Sequence, residues 1–293
     1  MEKIRLIYIL GSGYSGSTIL DLLLGSHSEI ESLGEFLHYE DVVKNNGICT
    51  CWKKINDCPY WQEVRRIYSE LISNNREMFL IKNNQILKDY FMFKAILIHT
   101  GKKIIVDSSK RLDRFKLLLK SGLFDIKLVY LIRECQGFMY SAKKRKYTKV
   151  IKPILDKNGN VIDRIFRKRK IYDGPLKTGI LWFFENWEMI NFLNKINPEN
   201  RITVRYNDLA LNPEKELLRI CKIAGIDFEE NMLNYSAYIH HNIGGNPTRM
   251  RKKDASIKYD DRWKTGLSRY ELLMAMFFNH LIEKKLQKAE IQK

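Results

Sequence analysis

An apolar strand, Ile4–Leu10, runs directly into Gly11-Ser12-Gly13-Tyr14-Ser15-Gly16-Ser17-Thr18, and a helix start follows. Gly11, Gly16, Ser17 and Thr18 fit the phosphate-loop spacing G-x-x-x-x-G-[KS]-[ST], with Ser17 where an NTPase carries lysine. Glycine and serine let the backbone curl tightly, so that successive N–H groups converge on an anion. The helix behind the loop adds the positive end of its dipole. Without the lysine, such a loop holds one phosphate but lacks the usual clamp on a β/γ-phosphate pair, which points away from an ordinary triphosphate. A plain Gly/Ser turn between any strand and any helix has the same composition, so the decision rests on the residues downstream.

Further strands are expected at Lys103–Val106, Lys127–Ile132 and Arg201–Arg205, each a short apolar or β-branched run. Helices are expected at Ser17–Gly25, Trp61–Ser73, Gln85–His99, Leu112–Ser121, Gly137–Lys146, Thr178–Lys195 and Pro213–Ala224. Pro213 at the first turn and Gly225 just past the end suit the last of these. A final helix near Ser268–Gln287 opens with Ser268 and Glu271 in capping-box spacing. Strand-then-helix alternation argues for an α/β fold, a parallel phosphate-loop sheet flanked by helices. The expectation is a single domain over 1–293, with a basic insertion at about 143–177 that stands outside the sheet and turns at Asp156–Asn160.

The 293 residues carry a net charge of +17, which suits an anionic partner, although a lysine-rich composition accounts for part of it. No apolar stretch approaches the roughly 20 residues of a membrane span. The first apolar run breaks at Gly11 and reads as a core strand rather than a signal peptide, so a cytoplasmic location is the expectation. Five cysteines in this length do not form a disulfide scaffold.

In a parallel sheet, ligands sit beyond the carboxyl ends of the strands. Leu33-Gly34-Glu35 returns to that edge after the first helix. Glu35 is either a base that removes a proton from an acceptor hydroxyl or a solvent-exposed residue after a turn. Asp107-Ser108-Ser109-Lys110-Arg111 closes the second expected strand, where Lys110 or Arg111 can neutralise an anion. Arg133 closes the third and Ser141 follows one helical stretch later, a guanidinium and a hydroxyl suited to one phosphate. The fourth gives Tyr206, and His241-Asn242-Ile243-Gly244-Gly245-Asn246-Pro247-Thr248-Arg249 is an irregular loop ending in a cation.

These strand ends, in this order, resemble the sulfotransferases that use 3′-phosphoadenosine-5′-phosphosulfate (PAPS). The resemblance covers residues 4 to about 270 and is weakest over the basic insertion. It implies that Ser12, Gly13, Tyr14, Ser15, Gly16, Ser17 and Thr18 bind the 5′-phosphosulfate, and that Arg133 and Ser141, eight residues apart, bind the 3′-phosphate. Gly245, Asn246 and Arg249 are implied on the same phosphate, Tyr206 on the adenine side, and Glu35 as the catalytic base. Adenosine 3′,5′-bisphosphate is then the product. The chain departs from the pattern at Tyr14, where the family usually has Arg or Lys. Either a Tyr14 hydrogen bond or Lys110 then covers the charge on the leaving phosphate.

The implied function is transfer of a sulfuryl group to a hydroxyl or amine acceptor, with an acidic or polymeric glycan among the candidates. A nucleotide kinase or NTPase is disfavoured by Ser17 and by a lack of acidic strand ends other than Asp107. A nucleic-acid-binding role is disfavoured because the basic segment has few interleaved aromatics, only Tyr147, Phe166 and Tyr172. Cys49, Cys51 and Cys58 lie close together, but zinc needs a fourth ligand, and His38 is a candidate only if the fold returns it. Packing or an opportunistic disulfide is therefore preferred and no metal is expected. His240-His241 reads as a solvated or phosphate-side feature.

Overall fold

Residues 1–75, 85–145, 147–155, 161–170, 172–250 and 257–291 are described by a computed structural model, in backbone only at 147–155, 161–170, 247–248 and 291. In chain order the main elements are β1 (Ile4–Leu10), α1 (Ser17–Gly25), β2 (Ile30–Ser32), α2 (Pro59–Ser73), α3 (Gln85–Thr100), β3 (Ile104–Lys110), α4 (Leu112–Ser121) and β4 (Phe124–Ile132). There follow α5 (Cys135–Arg145), β5 (Tyr147–Leu155), β6 (Val161–Lys170), α6 (Pro175–Leu193), β7 (Arg201–Arg205), α7 (Pro213–Ala224) and α8 (Arg269–Ile291).

The chain divides into two compact units. The first, Met1–Ile132 with Lys195–Tyr259, holds a five-stranded sheet in the order β2-β3-β1-β4-β7. Every pairing in it is parallel. β1 is central, with Ile7 opposite Val106 on one side and Lys127 on the other. Its near-continuous apolar run is what burial on both faces demands. Leu20, Leu23 and Leu24 of α1 and Leu217, Ile220 and Cys221 of α7 belong to one core with Ile7, Ile9, Val129 and Val204. Helix α7 has a marked apolar stripe, begins at Pro213 and ends at the left-handed Gly225 (φ 67°), the asymmetry its sequence shows. The short strand β2 was missed in the sequence because three residues carry no period.

The parallel order directs all five carboxyl ends to one edge. β1 opens there into Gly11–Thr18, β2 into Gly34-Glu35, β3 ends at Lys110, and β7 leads into Tyr206. Arg133 follows β4 directly in the chain and belongs to the second unit.

The second unit is Arg133–Asn194 with Asp260–Lys293. Here α6 and α8 pack closely enough that a side chain at Gly179 would meet the Phe278 ring at 2.2 Å. Helix α8 begins with the expected capping box: the Ser268 amide donates to Glu271 Oε2 (2.7 Å) and the Glu271 amide to Ser268 Oγ (3.3 Å). The basic insertion forms its own two-stranded antiparallel sheet, with Tyr147 opposite Lys170 and Ile151 opposite Phe166. The expected turn at Asp156–Asn160 lies outside the described residues.

Candidate functional site

The loop after β1 is shaped by backbone that most residues avoid. Gly16 sits at φ 95° and Tyr14 at φ 64°. At Gly16 a Cβ would also meet the Tyr206 ring at 2.7 Å, so only glycine fits between loop and ring. Helix α1 starts at Ser17 with no side-chain cap and no acid in its first turn. Its leading N–H groups have no acceptor within the helix. Among the described residues, the buried hydroxyls of Ser12 and Ser15 also have no hydrogen-bond partner. Orphaned donors converging on one helix start form an anion cradle. Tyr206, expected on the adenine side, packs on the loop itself and lies 6.1 Å from the Tyr259 ring.

Glu35 and Lys110 form an ion pair, each side chain 18% exposed. Gly34 makes the turn that presents Glu35: it adopts φ 73°, and a Cβ there would meet the Ile243 carbonyl oxygen at 2.4 Å. The Leu33 amide donates to the Val106 carbonyl, the Ser108 amide to Gly34, and the Glu35 amide to Ile243 at 2.7 Å. His38 Nε2 lies 3.4 Å from the other Glu35 oxygen, a partner signalled only by the i, i+3 spacing. Burial alone would raise the Glu35 carboxyl. The Lys110 charge and hydrogen bonds from His38 and Lys110 overcome it and hold the group at about 2. Lys110 lies at φ 66° where β3 bulges, and its carbonyl accepts from the Gly11 amide (3.4 Å), which ties the pair to the phosphate loop.

Asp107, the remaining acidic strand end, is committed elsewhere. It accepts from the Ser109 amide (2.9 Å), Ser109 Oγ and Arg114 Nε (2.9 Å), while Arg114 reaches on to Asp89 at 2.6 Å. Arg111 points to Asp113 at the surface.

The loop from His240 to Met250 closes over this edge. Its Asn246 amide donates to Thr18 Oγ1 at 3.2 Å. A Cβ on Gly245 would lie 3.3 Å from Thr18 Oγ1 and 3.9 Å from Glu35 Oε1, so this glycine stands between phosphate loop and carboxylate. Arg249 directs its guanidinium at carbonyl oxygens of Gly244, Asn242 (3.5 Å) and Ile48 (3.2 Å), which makes it a brace for the Gly244–Asn246 turn. Behind the loop, the Asn242 amide donates to Asp21 and to Ser32 Oγ, and Asp21 also accepts from the Gly34 amide (3.3 Å). Burial pushes the Asp21 carboxyl up to about 8 against hydrogen bonds from Ser108, Gly34 and Asn242.

In the second unit, Arg133 lies two residues before α5 and Ser141 lies within it. Arg133 packs directly over Gly137, where a Cβ would come within 2.3 Å of its Nε, and Ser141 Oγ donates to the Gly137 carbonyl at 2.9 Å. Spacings of four residues stack all three groups along the helix. Arg133 is 6% exposed, and its guanidinium pairs with Asp260 at 3.2 Å. Hydrogen bonding from Arg262 first, and then the Arg133 charge, hold Asp260 at about 2 despite burial.

The cysteines supply the main departure from expectation. Cys49, Cys51 and Cys58 come together with His241, and the four ligand atoms all lie within 4.8 Å of one another. His38 is beside Glu35 instead. Neither histidine of the 240–241 pair is a simple surface group: His240 is buried and contacts the Tyr235 carbonyl oxygen at 2.9 Å. No sequence spacing marks His241 as the partner, because it lies 183 residues from Cys58.

No protein-family model and no curated protein sequence matches the chain. Solved structures do. The sulfotransferase domain from the Synechococcus PCC 7002 olefin synthase aligns over 95% of this chain and 96% of its own, with TM-score 0.58 and 18% identity. The sulfotransferase domain from the curacin biosynthetic pathway aligns over 97% and 99%, with TM-score 0.61 and 20% identity. At these identities the likeness is one of fold, and the chain has the fold of the sulfotransferase domains.

Proposed function

We propose that the protein transfers a sulfuryl group from PAPS to a hydroxyl or amine acceptor, as a single catalytic domain over 1–293. The observation that carries the proposal is a carboxylate–ammonium pair, Glu35 and Lys110, tied to a phosphate loop that lacks the NTPase lysine. The unpartnered Ser12 and Ser15 hydroxyls and the uncapped start of α1 fit an anion of phosphate size. Residues 12–18 hold the 5′ end of the donor and Arg133 with Ser141 the 3′-phosphate. Gly245 and Asn246 close the turn beside Thr18, Arg249 braces it, and Tyr206 shapes the loop.

The donor supplies the activated sulfuryl group, and the chain supplies positioning and charge. Glu35 takes the acceptor proton. At about 2 it is a weak base so long as it holds Lys110 to itself. When the Lys110 charge is shared with a second anion, the opposing effect of burial is released and Glu35 becomes more basic. The same shift places a cation where charge develops on the leaving phosphate, a role that neither Tyr14 nor Ser17 can fill.

Calorimetry with adenosine 3′,5′-bisphosphate tests the reading. It should bind more tightly than ATP or AMP, since two separate phosphate subsites are engaged. Equal affinity for all three would overturn the assignment. The acceptor belongs to the hydroxyl or amine class, and the charge of the 143–177 segment favours an anionic or glycan acceptor.

A further inference from the structure

We propose that Cys49, Cys51, Cys58 and His241 bind one structural zinc ion. The contacts are Cys49 Sγ to His241 Nδ1 at 3.6 Å, Cys58 Sγ to the same nitrogen at 3.3 Å, and Cys51 Sγ to Cys58 Sγ at 3.6 Å. A tetrahedral zinc with Zn–S of about 2.3 Å and Zn–N of about 2.0 Å spaces its ligand atoms about 3.5–3.8 Å apart. The three shortest contacts lie close to these values, and all four ligand atoms lie within 4.8 Å of one another, a cluster that small shifts would close around a common centre. Three thiols and an imidazole form a closed four-ligand set, which is the structural rather than the catalytic type.

The surroundings build the site. Cys49 and Cys51 lie on a tight knuckle, in which the Cys49 amide donates to the Lys53 carbonyl (2.9 Å) and the Trp52 amide to Cys49 (2.9 Å). Trp52 accepts φ 71° to turn it, a strained conformation for a bulky residue. Cys58 is the N-cap of the 15-residue α2, so the helix start fixes its place beside the knuckle. The Tyr60 ring stacks on the imidazole at 4.2 Å and 6°, and Trp61 Nε1 holds the backbone of the same residue by donating to the His241 carbonyl at 3.0 Å. Such outer contacts are what fix a ligating histidine. Cys49 and Cys58 are buried.

The position gives the ion a task. His241 begins the loop that carries Ile243, whose amide and carbonyl pair with Leu33 and Glu35. Thr50 Oγ1 also donates to the Asn242 carbonyl (3.0 Å) and Arg249 to the Ile48 carbonyl. The ion would thus pin the knuckle to the loop that sets Gly34-Glu35 and covers Thr18. The inference is independent of the identity of the sulfuryl donor.

Elemental analysis of the full chain, purified in reducing buffer without chelator, should find about one zinc per chain. Replacement by cobalt should give the intense visible bands of a tetrahedral thiolate site. Cys51→Ser, at the one thiol of the three that is not fully buried, should weaken zinc by more than the about 10- to 100-fold that loss of an outer-shell partner costs. His241→Ala should do the same and change the cobalt spectrum. Removing zinc from the wild type should lower the melting temperature, and adding it back should restore it. If the variants do not fold, the wild-type zinc content and cobalt spectrum decide alone. A folded wild type that takes up neither ion overturns the proposal. So does a Cys51–Cys58 disulfide found by non-reducing peptide mapping of the protein purified in reducing buffer, or zinc binding unchanged in a Cys49→Ser/Cys58→Ser variant.

Discussion

Glu35→Gln separates the two tasks assigned to this carboxylate. The folded protein holds Glu35 at about 2, against an ordinary value of 4.5. At 1.36 kcal/mol per pH unit, the environment favours the carboxylate by about 3 kcal/mol. The side chain is only 18% exposed, so solvent screening leaves most of this in place. A depressed folded pKa contributes stability above the unfolded value, which is lost as pH falls through the folded one. Urea unfolding at pH 7 should therefore find the variant less stable by about 3 kcal/mol, and the gap should fall to about half by pH 3. The other acid-labile groups are common to both proteins and cancel in the difference. Turnover should fall by about 100- to 10,000-fold, since glutamine keeps the shape but accepts no proton. Affinity for adenosine 3′,5′-bisphosphate should not fall. A stability gap of equal size at pH 7 and pH 3 refutes the Lys110-held carboxylate; unchanged turnover refutes the base.

Lys110→Met removes the strongest influence holding Glu35 down. Its carboxyl should rise, because burial is then opposed by His38 alone, and the acid limb of the pH–rate profile should move up with it. A profile left in place at lower amplitude would mean that Lys110 acts on the donor alone. Arg133→Ala should weaken adenosine 3′,5′-bisphosphate by about 1.5–3 kcal/mol and leave AMP nearly unaffected; calorimetry showing equal losses sinks the 3′ assignment. Gly137→Ala should reproduce part of that loss without touching a charge, by displacing the guanidinium that lies 2.3 Å from the new Cβ. Neutralising Lys168, Arg169 and Lys170 on β6 together should raise the acceptor Michaelis constant and flatten its salt dependence, with nucleotide affinity unmoved. A collapse of nucleotide affinity instead would assign the hairpin to the donor.

The strand–loop–helix of β1 and α1, the limits of α4 and α7, and the capping box of α8 were readable residue by residue. Their signals are local: apolar runs, loop glycines and end-capping residues act within a turn or two of where they stand. The carboxyl-end rule for parallel sheets likewise took Glu35, Lys110, Arg133 and Tyr206 to strand ends without any contact being known. Tertiary structure decided the partnerships. Lys110 was read as a cation for the donor, but the fold first gives it to Glu35, because neighbouring strands β2 and β3 deliver both to one place. Arg249 was read as a phosphate ligand; in the fold its two terminal nitrogens donate to carbonyls of its own loop and of Ile48, and its Nε has no partner among the described residues. The cysteine knuckle lacked a fourth ligand until Ile243 paired with Leu33 and Glu35 and carried His241 to the thiols. Charge, hydroxyl and sulfur are legible in the residue types; which of them meet depends on chain segments nearly two hundred residues apart, and only packing of the sheet edge brings those together.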